Sequence, residues 1–246
     1  KEVAKDLPEL REQTITLTMS EKESEIYEKK KEILCRDDKL NLQAIIPLRQ
    51  ICTHHQLVND DSFNHMPMND CYKYKYLVDL VESIFSNKEK LIIFTSFSKM
   101  VDILIQDLSL RYQRSYINKI DGRTPQEERQ GIIDEFTNHE EHGALILNPT
   151  AAGEGLNIQA ANNVIHYNPE WNPSKEDQAN ARAHRIGQNK KVLVTKLIYK
   201  GSIEEYMLEK QAHKRAMSDL AIKGDDGTAK IKIEDMREYL LKSKTN

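Results

Sequence analysis

The most constraining feature of this sequence is the alternation that runs from residue 71 to residue 200. Short apolar, β-branched runs recur there between amphipathic stretches. The spacing predicts helix 72–86, strand 90–95, helix 98–113, strand 115–120, helix 125–138 and strand 144–148. A Gly-containing turn at 152–157 follows, then strand 163–167, helix 174–186, strand 191–199 and helix 202–222. Repeated βα units cannot pair as hairpins, because each crossover helix returns the chain to the same end of the sheet. The expected fold class is therefore α/β, a doubly wound, mainly parallel sheet with helices on both faces.

The flanks read differently. Ser20 stands three positions before Glu23 and opens an amphipathic helix over 20–34, the pattern of a capping box. Gln13 to Thr18 alternates apolar and polar residues, as an edge or half-buried strand does. Residues 38–58 have helical spacing with a boundary near Pro47, and 59–70 has no period and reads as a loop. Gly224-Asp225-Asp226-Gly227 reads as a linker before a short helix at 233–242, expected to be peripheral. The expected organisation is a junction and helical extension over 1–70, an α/β domain over 71–200, and a helix with tail over 201–246.

Composition excludes several classes. The 36 Lys+Arg and 39 Asp+Glu give a net charge of −3, so a wholly basic nucleic-acid binder is excluded, though a local basic stripe is not. No window approaches the roughly 20 consecutive apolar residues that a membrane helix needs. Three cysteines, Cys35, Cys52 and Cys71, make no disulfide framework and suit a reducing interior. Cys52-Thr53-His54-His55 lacks the second ligand pair of a zinc site, so no metal site is expected.

Two segments carry candidate chemistry. Thr150-Ala151-Ala152-Gly153-Glu154-Gly155-Leu156-Asn157 follows a buried strand, and its small residues would let backbone N–H groups approach a phosphate. It lacks the third Gly and the downstream acid of a dinucleotide fingerprint, and taken alone it reads as an ordinary tight turn sooner than as a phosphate site. In the second segment, Gln178 to Gln188, residues Gln178, Arg182 and Arg185 fall at i, i+4 and i+7 and would share one helix face. Such a stripe is usually a solvated face. Here the helix must pack on a sheet with only Ala179, Ala181 and Ala183 for bulk, and two forked guanidiniums aimed at one point suit a polyphosphate.

The Arg182-Ala183-His184-Arg185-Ile186-Gly187-Gln188 run resembles motif VI of the Snf2 family of superfamily 2 DNA translocases. Other family motifs follow in order. Lys90 to Phe97 resembles motif IV, and Ile120-Asp121-Gly122-Arg123-Thr124 with Arg129 and Phe136 resembles the next block. Thr150 to Asn157 resembles motif V, followed by Asn163 to Tyr167 and Trp171-Asn172-Pro173. Leu48 to His54 resembles the segment before the second lobe, and Gly201 to Glu205 the start of its brace helix. Departures are Ala181, where the family often has Asp, and Ala152-Gly153 in place of Gly-Gly.

The resemblance implies a RecA-like C-terminal lobe of an ATP-dependent motor. Arg182 and Arg185 would be arginine fingers whose geometry Gln178 sets, while Gly153, Glu154, Gly155 and Asn157 would line the nucleotide. Ser96, Gly122, Arg123, Thr124, Thr150 and Trp171 would lie along double-stranded DNA. No P-loop or D-E-x-H sequence is present. ATP and Mg²⁺ would then be held mainly by an N-terminal RecA-like lobe, and this chain alone is expected not to hydrolyse ATP. A DNA-binding or protein-interaction module derived from such a lobe is the alternative. A methyltransferase-like nucleotide enzyme would need its Gly turn after the first strand. The Lys, Ile and Asn content without a basic nuclear-import run reads as prokaryotic and cytoplasmic.

Overall fold

The computed structural model describes residues 7–36, 40–58, 70–150, 155–221 and 233–245, with side chains up to 216 in the last helix before 222. The elements are β1 (Leu10–Leu17), α1 (Glu21–Arg36), α2 (Ile46–Thr53), α3 (Tyr72–Ser86) and β2 (Lys90–Phe94). Then come α4 (Ser98–Arg111), β3 (Tyr116–Ile120), α5 (Gln126–Asn138), β4 (Gly143–Leu147) and β5 (Asn163–His166). The chain continues through α6 (Pro173–Asn180), β6 (Val192–Tyr199), α7 (Ile203–Ala221) and α8 (Ile233–Lys242).

The strands form one sheet in the order β1-β6-β5-β2-β4-β3. β2 pairs in parallel with β4 and β5, β4 with β3, and β5 with β6. The edge strand β1 follows the same sense, since Val192 N–H donates to the Glu9 carbonyl and Lys200 N–H to that of Leu17. Every residue of β4 is buried, as a strand covered on both faces requires. Ile92, Phe94, Leu145, Leu147 and Val164 face a core completed by Ile133 and Phe136 of α5 and by Ala179 and Ala183. The alternate residues Leu91, Ile93, Ala144 and Ile146 are equally buried on the opposite face. Helix α4, which packs on β3 and β4, buries Met100, Val101, Leu104 and Leu108 outside that first core.

The chain divides into two compact units. The first takes residues up to Ile15, Leu77–Asn168 and Ser174–Leu197, and the second takes Thr16–Tyr76, Pro169–Pro173 and everything from Ile198. The second has its own core of Tyr27, Ile45, Leu48, Ile51, Tyr199, Ile203, Met236 and Leu240. A charged network runs through it: Lys73 Nζ lies 2.5 Å from Glu204 Oε2, and Tyr199 Oη donates to Glu23 Oε1 at 2.8 Å. Glu23 also closes the capping box, accepting from Ser20 N–H at 2.9 Å while its own N–H donates to Ser20 Oγ at 3.3 Å.

Three expectations change. The helix expected over 38–58 begins only at Ile46, because Asn41 Oδ1 draws in the N–H groups of Gln43 and Ala44 as a turn. Pro47 sits in the first turn of α2, where a missing N–H costs nothing. The C-terminal helix is not peripheral, since Met236 and Leu240 are buried in the second core.

The third correction bears on function. The helix expected over 174–186 ends at Asn180, so Gln178, Arg182 and Arg185 do not share a helix face. The Arg182 carbonyl accepts from the Ile158 N–H at 2.9 Å, and the Ala183 carbonyl from Gln188 Nε2 at 3.2 Å. Past Asn180 the helical ladder gives way to turns, with the Arg182 N–H donating to the Ala179 carbonyl and the Ala183 N–H to the Asn180 carbonyl. Gly187, at φ 101°, then reverses the chain through a conformation that side chains with a Cβ rarely adopt.

Candidate functional site

In an open parallel sheet the carboxyl ends of the strands are where loops converge and ligands bind. Four strand ends are tied together here. Thr95, just past β2, donates from its N–H to the Leu147 carbonyl and from Oγ1 to Asn168 Oδ1 at 2.8 Å. Asn148, just past β4, donates from its N–H to the Ile120 carbonyl and from Nδ2 to the Ser96 carbonyl at 3.3 Å. Its Oδ1 accepts from the Thr150 N–H at 2.9 Å. Ser96, Thr150 and the Ile120–Thr124 turn thus form one continuous surface.

Within that turn Thr124 Oγ1 accepts from the Asp121 N–H at 3.1 Å, and Gly122 is exposed with open space where a Cβ would stand. Trp171 belongs to the second unit. Its ring is half-buried and stands edge-on to Tyr206 at 6.4 Å, and its carbonyl accepts from Lys214 Nζ at 3.1 Å.

The arginine-bearing run 181–188 is held from both ends. Gln188 is buried, and its Nε2 lies 2.9 Å from the carbonyls of both Gln159 and Ala161. The Ile158–Arg182 backbone bond and a long 3.5 Å contact from Arg182 Nη1 to the Leu156 carbonyl bring Arg182 against the turn that contains Gly155 and Asn157. Gly155 has φ 75°, and both it and Asn157 are exposed. Gly153 and Glu154 lie outside the described residues.

Arg182 is half-buried and Arg185 exposed, and among the described residues neither forms an ion pair with a carboxylate. Arg182 Nε is buried without a hydrogen-bond partner. Loss of water, then repulsion from Arg185, pushes the Arg182 pKa down. Two like charges with no carboxylate partner among the described residues leave this segment able to take up an anion. Gln178, on the exposed side of α6, hydrogen-bonds neither arginine.

Beneath the run, α6 adds polar anchors to the small apolar contact of Ala179, which is why its sequence shows so little bulk. Glu176, wholly buried, meets Lys196 Nζ at 2.6 Å. His166 Nε2 donates to Asn180 Oδ1 at 2.7 Å, and Asn180 Nδ2 reaches Glu12 at 3.4 Å. Burial pushes the His166 pKa below 6.5 against the opposing pull of Glu176.

Residues 72–187 match the family model of the helicase conserved C-terminal domain. The chain is 32% identical over 208 residues to Protein CHROMATIN REMODELING 8 of Arabidopsis thaliana, covering 82% of this chain and 17% of that protein. It is 33% identical over 206 residues to DNA excision repair protein CSB of Oryza sativa subsp. japonica, covering 80% and 17%. Among solved structures, the Sulfolobus solfataricus SWI2/SNF2 ATPase core in complex with dsDNA superposes with a TM-score of 0.73 at 27% identity, over 96% of this chain and 51% of that one. The chain belongs to the Snf2 family. It is the C-terminal lobe, and it spans about a sixth of the curated relatives named.

Within this Snf2 lobe, sequence reasoning missed three residues that shape the site. Asn148 joins Ser96 to Thr150, and its signal was available, since Asn directly after a strand is turn chemistry. Gln188 appeared only as the last letter of a motif and proves to be its anchor. Asp102, which binds Arg123 from α4, has no local signal at all.

Proposed function

We propose that this chain is the second motor lobe of an ATP-dependent double-stranded DNA translocase. In this reading Arg182 and Arg185 act as arginine fingers on ATP held by an N-terminal RecA-like lobe. The observation that carries it is the arginine pair itself, two like charges that repel each other and have no carboxylate partner among the described residues, one of them with a buried bare Nε. Guanidinium forks match phosphate oxygens and stabilise charge that builds as the terminal phosphoryl group departs. Gly155 and Asn157, beside Arg182, line the nucleotide from this side.

Among the described residues no group of carboxylates, histidines or cysteines could hold a metal ion. The donors described at this site do not fit Mg²⁺, whose ligands would come from the other lobe.

The surface joining Ser96, the Ile120–Thr124 turn, Asn148 and Thr150 grips DNA phosphates. Its exposed backbone and hydroxyls suit contacts that position a duplex without reading its bases. The DNA complex of the Sulfolobus relative supports the assignment. ATP binding would close the two lobes on each other and hydrolysis would release them, stepping the grip along the duplex.

The test is steady-state ATP turnover by the full-length protein, with and without duplex DNA, beside an Arg185→Ala variant. Turnover that rises with DNA and collapses in the variant supports the reading. A full-length protein with no turnover under either condition points instead to a non-catalytic DNA-binding module.

A further inference from the structure

The turn after β3 contains an arginine whose environment is the reverse of Arg182's. Arg123 donates from Nη1 and Nη2 to the two oxygens of Asp102, at 2.8 and 2.7 Å. Its Nε and Nη2 also reach Asp121 Oδ2, at 3.0 and 2.5 Å. Four of the five guanidinium N–H groups are thereby engaged, in two forks. Lys119 Nζ adds a bond to Asp102 Oδ1 at 2.9 Å, so two cations and two carboxylates cancel.

The remaining bonds all tighten the turn. Asp121 Oδ1 accepts from the Arg123 N–H at 2.8 Å, Thr124 N–H donates to the Asp121 carbonyl, and Arg129 Nε donates to the Thr124 carbonyl at 3.1 Å. Asp121 is buried to 1% exposure, whereas the Asp102 side chain is 47% exposed.

We propose that Arg123 is a positioning residue for the DNA-gripping surface and makes no phosphate contact of its own. It pins the Ile120–Thr124 turn to α4 through Asp102, which leaves the exposed Gly122 backbone and the Thr124 side of the turn as the phosphate-facing parts. The proposal rests on the phosphate-gripping reading of this surface. It differs in what Arg123 contributes, which is shape and no net charge.

Each lysine or arginine on a phosphate releases counterions and adds about 0.9 to the slope of log binding constant against log salt concentration. Fluorescence anisotropy of a labelled duplex, titrated with the full-length protein across a salt series, reads that slope. Arg123→Ala is expected to weaken binding while leaving the slope at its wild-type value. Asp102→Asn, which loosens the same pin but frees Arg123 and Lys119 from their counter-charge, is expected to steepen the slope by up to about one.

A slope lowered by about one in Arg123→Ala overturns the proposal. If Arg123→Ala does not fold, Asp102→Asn decides alone, because it changes only a half-exposed carboxylate to its amide. A steeper slope there supports the proposal. An unchanged slope means that Arg123 already counts among the phosphate contacts, and overturns it. A wild-type slope near zero is a separate result that removes the phosphate-gripping reading itself, and the proposal with it.

Discussion

Two arginine-bearing turns of the same sheet domain show how differently one side chain can be spent. Arg123 is paired with Asp102 and Asp121, which hold it charged and are in turn held down as acids, Asp102 to about 2, chiefly by that same guanidinium. Arg182 has neither carboxylate nor full hydration, and its neighbour Arg185 repels it. A sequence motif marks both as anion contacts. The surroundings separate them, since a charge already neutralised stabilises the fold and a charge left over is available to a ligand.

The largest effect that can break this comparison is on turnover. Arg185→Ala is expected to cost on the order of 10³-fold or more in DNA-stimulated ATP hydrolysis by the full-length protein, the range of arginine fingers. A loss below about tenfold would remove the distinction between the two turns.

Next is the platform under the arginine run. Glu176→Gln leaves the Lys196 ammonium buried without its counter-charge and is expected to destabilise the sheet domain by about 3–5 kcal/mol. Denaturant unfolding of the chain checks it, and a change under about 1 kcal/mol would mean that water reaches the pair.

A smaller contrast lies in stability at the two turns themselves. Arg123→Ala should lower the unfolding free energy by about 1 kcal/mol, as a partly exposed bidentate pair does. Arg185→Ala, exposed and beside a like charge, should not lower it at all. Thermal melts of the two variants side by side give the comparison, and equal losses would contradict it.

The smallest effect is with pH. His166 has a folded pKa below its ordinary value of 6.5, so the unfolded chain binds the proton first as pH falls. The native state is then fully stabilised above about 6.5 and loses stability as pH drops from there through the folded pKa. Glu176, Lys196 and Glu12 are the charged groups that act on it. The melting temperature of a His166→Gln variant should fall less over that window than that of the parent, and an identical fall would assign the dependence to other groups.

Much of the architecture was legible because burial on both faces of a parallel sheet leaves an unmistakable record. Leu91 to Phe94 and Ala144 to Leu147 can only be covered strands, and Ser20 with Glu23 announced the start of α1 through bonds that the structure contains. The path of the chain after α6 was illegible, because residues 181–188 are held by partners distant in sequence, such as Ile158, 24 residues from Arg182. Arg123 failed to declare its role for the same reason, its principal partner being 21 residues upstream on α4. The helix at 233–242, which carries Met236 and Leu240, was legible. Its place in a core with Tyr27 and Leu48 was not.

The last turn of the chain has one further consequence. Lys31 Nζ donates to the Ser243 carbonyl, Arg237 Nη2 to the Cys35 carbonyl, and Ser24 Oγ meets Thr245 Oγ1 at 2.7 Å, across 202 to 221 residues of sequence. A Cβ on Gly201 would fall on the Lys244 carbonyl, so that final segment must lie against the start of α7. On a ribosome adding roughly 5–20 residues per second, α1 therefore waits about 10–40 s for its partners to be made. The sheet domain, whose last segment ends at Leu197, can close meanwhile. Until then the apolar side of α1, with Tyr27 and Cys35, has no core to enter.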